Sequence, residues 1–172
     1  MRTVVLTLVV LLILGAATYF FIVYSGVISV AADPGGGGLL SWTMDHTMDH
    51  SVDRHSAGIK VPPLDDPVMI QAAAGEYDHT CAFCHGAPGR DSAGFVAGMD
   101  PSPPDYKDIG NEQSPQFIFW VAKNGVEMTG MPSFAKEGDQ KLWAFVALIK
   151  TMPKMTPAQY QNLVSHAPVG KD

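Results

Sequence analysis

The sequence predicts an all-α chain: one long apolar helix at the start, then short helices separated by turn-rich loops. Three observations carry this. Residues 4–24 are almost wholly apolar. Helix-start devices recur further on, with Asp66-Pro67, Ser114-Pro115 and Thr156-Pro157 each placing a capping side chain directly before a proline suited to the first helical turn. No convincing run of alternating apolar and polar residues signals a strand.

Taken in order, the first element is the apolar one. No charged residue occurs from Thr3 to Ala32, and about 20 apolar residues suffice to cross a bilayer core of ~30 Å. Arg2 and the α-amino group precede the run, so the positive-inside rule keeps the N-terminus cytoplasmic and sends the rest outward. Ser29-Val30-Ala31 resembles a signal-peptidase site, but signal peptides have apolar regions of only about 7–15 residues. We read residues 1–32 as a retained, single-pass anchor; a signal segment is the alternative.

Residues 33–63 read as a flexible Gly/His/Pro-rich tether. Asp33-Pro-Gly-Gly-Gly-Gly38 ends the anchor, because four glycines disfavour any regular element. A coil of about 30 residues has a mean reach of about 30 Å. Inside it, Thr43-Met-Asp-His46 is repeated as Thr47-Met-Asp-His50. On a helix His46 and His50 would share a face, at a spacing that can hold a transition metal; a polar, partly helical linker is the plainer reading.

Residues 64–172 form the remaining domain. Asp66-Pro67 starts a helix through residues 71–80, and Ser114-Pro115 starts one that stops at Asn124-Gly125. Asp139 can cap a closing helix through Lys150, and Thr156-Pro-Ala-Gln159 is a capping box opening a last helix to about Ser165. Phe117, Phe119, Trp120, Phe134, Trp143 and Phe145 are the expected core or cofactor-wall residues.

Both cysteines of the chain lie in Cys81-Ala-Phe-Cys84-His85. C-x-x-C-H is the attachment signature of a c-type haem: two thiols form thioethers to one porphyrin edge, and the adjacent His85 becomes the proximal ligand of the iron. A structural zinc site needs two further ligands at a second knuckle, and no second cysteine pair exists. A thioredoxin-like pair belongs between a strand and a helix. In electron-transfer cytochromes c the second ligand is usually a methionine. Among nine methionines, Met128 and Met131 lie where Gly and Pro forbid continuous helix, and a loop there can present a side chain to a flat cofactor. From the residues alone, Met131 is as readily a core methionine as a ligand.

From about Pro67 to Met152 the chain resembles class I cytochromes c, especially the group related to the third subunit of cbb3-type oxidases. The carriers of the likeness are C-x-x-C-H, the MP-x-F element Met131-Pro132-Ser133-Phe134, Tyr77 four residues before Cys81, and Trp143 in the closing helix. The resemblance implies a cytochrome c fold of short helices around one covalent haem c, with Met131 as the distal iron ligand and Met128 as fallback. Ala73 stands where the group commonly has Gly, and Leu148 where it often has an aromatic. The stretch from Gly86 to Pro104 lacks an obvious proline at the usual distance to accept from the His85 ring; Pro88 is a weak candidate for that carbonyl, and any nearby backbone oxygen could take the role.

The formal charge is -6, and from Lys60 onward nine Lys/Arg face thirteen Asp/Glu. This disfavours nucleic acid, which calls for a basic stripe. Lys123, Lys136 and Lys141 could form a local patch near Met131, although solvated surface lysines are the default reading. His79 and His166 are expected on the surface, each an alternative iron ligand. No paired carboxylates, Ser/His/Asp set or phosphate-binding loop is discernible, so no enzyme is expected. With both axial positions filled, the expectation is a one-electron carrier of a respiratory chain. It would be tethered to the bacterial cytoplasmic (inner) membrane with its haem domain in the periplasm, either free or as a subunit of a larger redox complex. A quinol-oxidising complex or a dehydrogenase would be the donor, and a terminal oxidase or reductase the acceptor. A haem-based sensor or peroxidase with a displaceable Met131, and a metal-handling protein using the Asp/His/Met tether, are the alternatives.

Overall fold

The computed structural model describes residues 1–32 and 38–168; the expected break at Asp33–Gly37 lies outside them. The chain divides into Met1–Ala31 and Ala32–Asp172. The first unit is helix α1, Arg2–Ser25, closed by Gly26 in the left-handed conformation (φ 69°) that its missing Cβ permits. None of its residues is buried. At 24 residues it is ~36 Å long, enough in length and composition to cross a membrane.

The second unit contains helices α2 (Leu39–Ser56), α3 (Pro67–Glu76), α4 (Ala82–His85), α5 (Tyr106–Glu112), α6 (Pro115–Asn124), α7 (Asp139–Thr151) and α8 (Pro157–Ser165). Among the described residues no strand forms, only an isolated bridge between Ala87 and Arg90. The all-α expectation therefore holds, and its local punctuation is in place. The Asp66 side chain accepts from Val68 N–H at 2.9 Å and that of Ser114 from Phe117 N–H at 3.2 Å. Thr156 and Gln159 close the reciprocal capping box.

Helix α7 is the centre of the domain. Its apolar run leaves every residue from Ala144 to Ile149 buried, because α3, α5 and α6 all pack on it. Ala73 and Ala74 supply the small surface on which α3 crosses α7; the side chain at 73 is buried there without being glycine. Gly110 makes the α5 crossing possible. A Cβ on it would lie 2.6 Å from Ile149 O and 2.5 Å from Pro153 Cγ. Lys150 then reaches back to donate to the carbonyls of Gly110 (2.6 Å) and Gln113 (2.9 Å), satisfying groups left open at the C-terminus of α5.

Three features differ from expectation. The stretch expected to be a flexible, at most partly helical tether contains an 18-residue helix, α2, which packs on α6. Val52 and Ser56 are buried there, and the His55 ring stacks on Trp120 at 5.8 Å. Helix α5 is not among the helices read from the sequence; it forms between the haem motif and Ser114, capped by Asp105 accepting from Lys107 N–H at 2.8 Å. Asp139 is the first residue of α7 rather than its cap; Gly138 holds the cap position without a side-chain bond. The Asp139 carboxylate instead pairs with Lys123 at 2.6 Å.

Candidate haem centre

Helix α3 runs into a single π-helical turn, Tyr77–Cys81, which hands over to α4. The Ala82 N–H donates to Tyr77 C=O, five residues back. Such wide turns concentrate at functional sites, because the extra residue re-aims the side chains that follow. Here the following residues are the cysteine–histidine motif.

Cys81 and Cys84 are half-buried and make no disulfide. Burial, with Glu76 and then Cys84 adding to it, pushes the Cys81 thiol up to about 12. That is the opposite of the lowered value that activates a redox dithiol. The His85 ring donates from Nδ1 to Pro104 O at 2.8 Å. A carbonyl can only accept, so this bond places the ring proton on Nδ1 and leaves the Nε2 lone pair available. Burial lowers the His85 pKa, against opposing contributions from Pro104 O and Asp105, and so favours the neutral, ligating form. Pro104 is thus the carbonyl partner in place of Pro88, which is buried in the turn after the motif.

The chain reverses after His85 at Gly86 (φ 68°), and Ala87 and Arg90 exchange backbone bonds of 2.8 Å. Two side chains lock this turn to the π segment, and a third ties α8 to that segment. The buried Tyr77 hydroxyl donates to Gly86 O at 3.1 Å. Arg90 reaches both the carbonyl (2.8 Å) and the carboxylate (3.0 Å) of Asp78. Tyr160 of α8 donates to the other Asp78 oxygen at 3.1 Å. Burial raises both phenol pKa values, so the hydroxyls stay protonated donors.

The loop carrying the two methionines is held as tightly. Val126 N–H donates to Met131 O at 3.1 Å, and Met131 N–H to Thr129 Oγ1 at 3.1 Å. Beyond it, Ser133 Oγ donates to Lys123 O and Phe134 N–H to Ala122 O, stapling the loop to α6. Gly125 begins the loop with φ 71°, and a Cβ there would sit 2.7 Å from Met131 O. The two methionines differ in setting: Met128 is 85% exposed, whereas Met131 is half-buried and bonded through both backbone groups.

Of the expected aromatic residues, Phe119 and Phe145 are buried, and Phe117, Trp120, Phe134 and Trp143 half-buried. Phe119 and Trp143 stack at 4.2 Å, joining α6 to α7. Of the three lysines that could have formed a local patch, two are held in ion pairs: Lys123 with Asp139, and Lys141 with both Glu76 and Glu137. His79 and His166 are exposed. In α2, His46 Nδ1 donates to Trp42 O at 2.9 Å. Among the described residues no group of three or more His, Cys, Asp or Glu side chains is placed to hold a metal.

Unpaired thiols three residues apart, followed by a neutral histidine oriented through Nδ1, are a donor set that fits a covalently attached haem. The fold and this site thus define a c-type haem domain. Residues 69–149 match the family model described as Cytochrome C oxidase, cbb3-type, subunit III. The segment is a mono-haem cytochrome c domain related to that subunit, and its cofactor is haem c, covalently bound. No curated protein and no solved structure matches the chain.

Proposed function

We propose that this chain is a membrane-tethered, periplasmic one-electron carrier of a bacterial respiratory chain. In this reading Cys81 and Cys84 would hold the haem by thioethers, while His85 and Met131 would supply the protein ligands of its iron. Electrons arrive from a quinol-oxidising complex or a dehydrogenase and leave to a terminal oxidase or reductase. When bound, the haem supplies a reversible Fe(II)/Fe(III) couple. The chain's residues supply the rest. Pro104 O orients the His85 ring, the Tyr77–Asp78–Arg90–Tyr160 network holds the motif rigid, and the Gly125–Phe134 loop positions Met131.

The observation that carries the reading is the anchoring of Met131 through both its N–H and its C=O. A Met131 held by its backbone could offer its sulfur to a bound haem iron as a lasting ligand, which would suit electron transfer and oppose substrate binding there. The domain boundaries we propose follow function: an anchor at 1–32, a connecting segment at 33–63 that includes α2, and the haem domain at 64–172. Adding carbon monoxide to the reduced holoprotein tests closure. An unchanged spectrum on the mixing timescale is expected, and an immediate shift would favour a sensor or peroxidase. Oxidase turnover in membranes lacking the chain tests the respiratory role; unchanged turnover would count against it.

A further inference from the structure

Helix α2 has two dissimilar ends. Its C-terminal half is held by the domain through Val52, Ser56 and the His55–Trp120 stack. Its first six residues, 39–44, carry no charge, and Leu39, Leu40 and Trp42 stand 80%, 58% and 57% exposed. The buried Val52 stands thirteen positions after Leu39, so the apolar tip projects ~20 Å along the helix from its packed contact. Clustered apolar side chains in water mark a surface that something covers.

Covalent connection indicates what covers it. Thirteen residues lie between Ser25, the end of α1, and Leu39. Whatever path they take, they span at most about 50 Å, which holds the tip at high effective concentration beside the medium that α1 enters. The composition suits that medium. Tryptophan, apolar in body and polar at its N–H, favours the headgroup level of a bilayer. Asp45 and Asp49 follow within the next two turns, and carboxylates resist desolvation. Insertion therefore stops after the first turn or so.

We propose that the N-terminal turn of α2 seats in the lipid headgroup interface through Leu39, Leu40 and Trp42, making α2 a strut between bilayer and haem domain. This rests on α1 being a retained membrane anchor. It replaces a freely swinging tether with a fixed stand-off, restricting the heights at which redox partners can be met.

The test uses the full-length holoprotein in nanodiscs of zwitterionic phosphatidylcholine. The emission of Trp42 is taken as the difference between wild type and Trp42→Phe, which cancels Trp120 and Trp143. The expected difference spectrum is blue-shifted from indole in water. Phosphatidylcholine carrying a nitroxide near the headgroup should quench it more strongly than one labelled at the chain end or than aqueous acrylamide. The double variant Leu39→Glu/Leu40→Glu should remain in the disc through α1 yet lose the lipid quenching. Co-elution with the disc, with Trp42 open to acrylamide and insensitive to lipid quenchers, would overturn the strut and leave the anchor standing. A blue-shifted emission insensitive to lipid quenchers would also overturn it, placing a protein surface over the tip. Failure to co-elute at all would remove the anchor and the proposal with it.

Discussion

Substituting Gly125 by alanine should damage the haem centre more than any other single methyl addition in the domain. The residue has φ 71° and ψ -173°, a region essentially reserved for glycine, where a side chain costs on the order of 1–3 kcal/mol. Its new Cβ would also lie 2.7 Å from Met131 O, 2.8 Å from Pro132 C and 2.8 Å from Ser133 N. All three are backbone atoms of the loop proposed to present the distal ligand, so they cannot yield by rotating a side chain. Overpacking of this kind adds about 1–3 kcal/mol. The combined cost, ~2–6 kcal/mol, is a large share of the 5–15 kcal/mol typical of a folded domain. Gly138 is the internal control. Its backbone is in the same region (φ 80°, ψ 153°), but a Cβ there meets nothing within 4 Å. Gly138→Ala should therefore show the conformational cost alone, with an unchanged haem spectrum. Guanidinium denaturation of both holoproteins, followed by their oxidised spectra, makes the comparison. Equal destabilisation by the two variants, with the Met131 loop spectroscopically undisturbed, would refute the reasoning.

Gly110→Ala should cost about 1–3 kcal/mol in the same assay, because its Cβ would press on the Ile149 carbonyl and the Pro153 ring. Gly94→Ala, which faces open space, should be near neutral. Hydrogen bonds to Glu137, then Glu76, raise the Lys141 pKa. The folded protein thus binds this proton more tightly than the unfolded chain does. The resulting stability is fully present below the ordinary lysine value and is lost as pH rises through the raised one. With Lys141 about 40% exposed, Lys141→Met should lose at most ~1 kcal/mol at neutral pH and flatten the alkaline decline, read from unfolding midpoints against pH. Cys81→Ser/Cys84→Ser should abolish haem retention through a denaturing gel, since no covalent link would remain.

What could be read directly from the sequence is what short-range chemistry dictates. Asp66, Ser114 and Thr156 cap helices because a capping side chain bonds a backbone N–H only two or three residues away, and that geometry is written in consecutive residues. The Cys81–His85 motif is legible for the same reason. Long-range partners were not. The carbonyl that orients His85 belongs to Pro104, nineteen residues on in a proline-rich loop whose path only the fold sets. Lys141 meets Glu76 across the α3–α7 packing, which neutralises a patch that looks basic in one dimension. Asp139 is not the cap because α7 begins one residue earlier than expected, with Gly138 at the cap position, and the Asp139 carboxylate pairs with Lys123 at the end of α6. Helix α2 hides behind a composition rich in Thr, Asp and His, weak helix formers whose ordering here comes with tertiary packing of Val52 and Ser56 on α6. Helix α5 is short and contains glycine, which argues against helix until the close crossing of α7 explains it.

The central claim is that His85 and Met131 close the iron from both sides. The most direct measurement is the oxidised absorption spectrum of the holoprotein alongside Met131→Leu and Met128→Leu. A low-spin spectrum with a sulfur-to-iron charge-transfer band in wild type and Met128→Leu, lost in Met131→Leu, is the expected result. Persistence of the band in Met131→Leu, or a high-spin wild type, would contradict it.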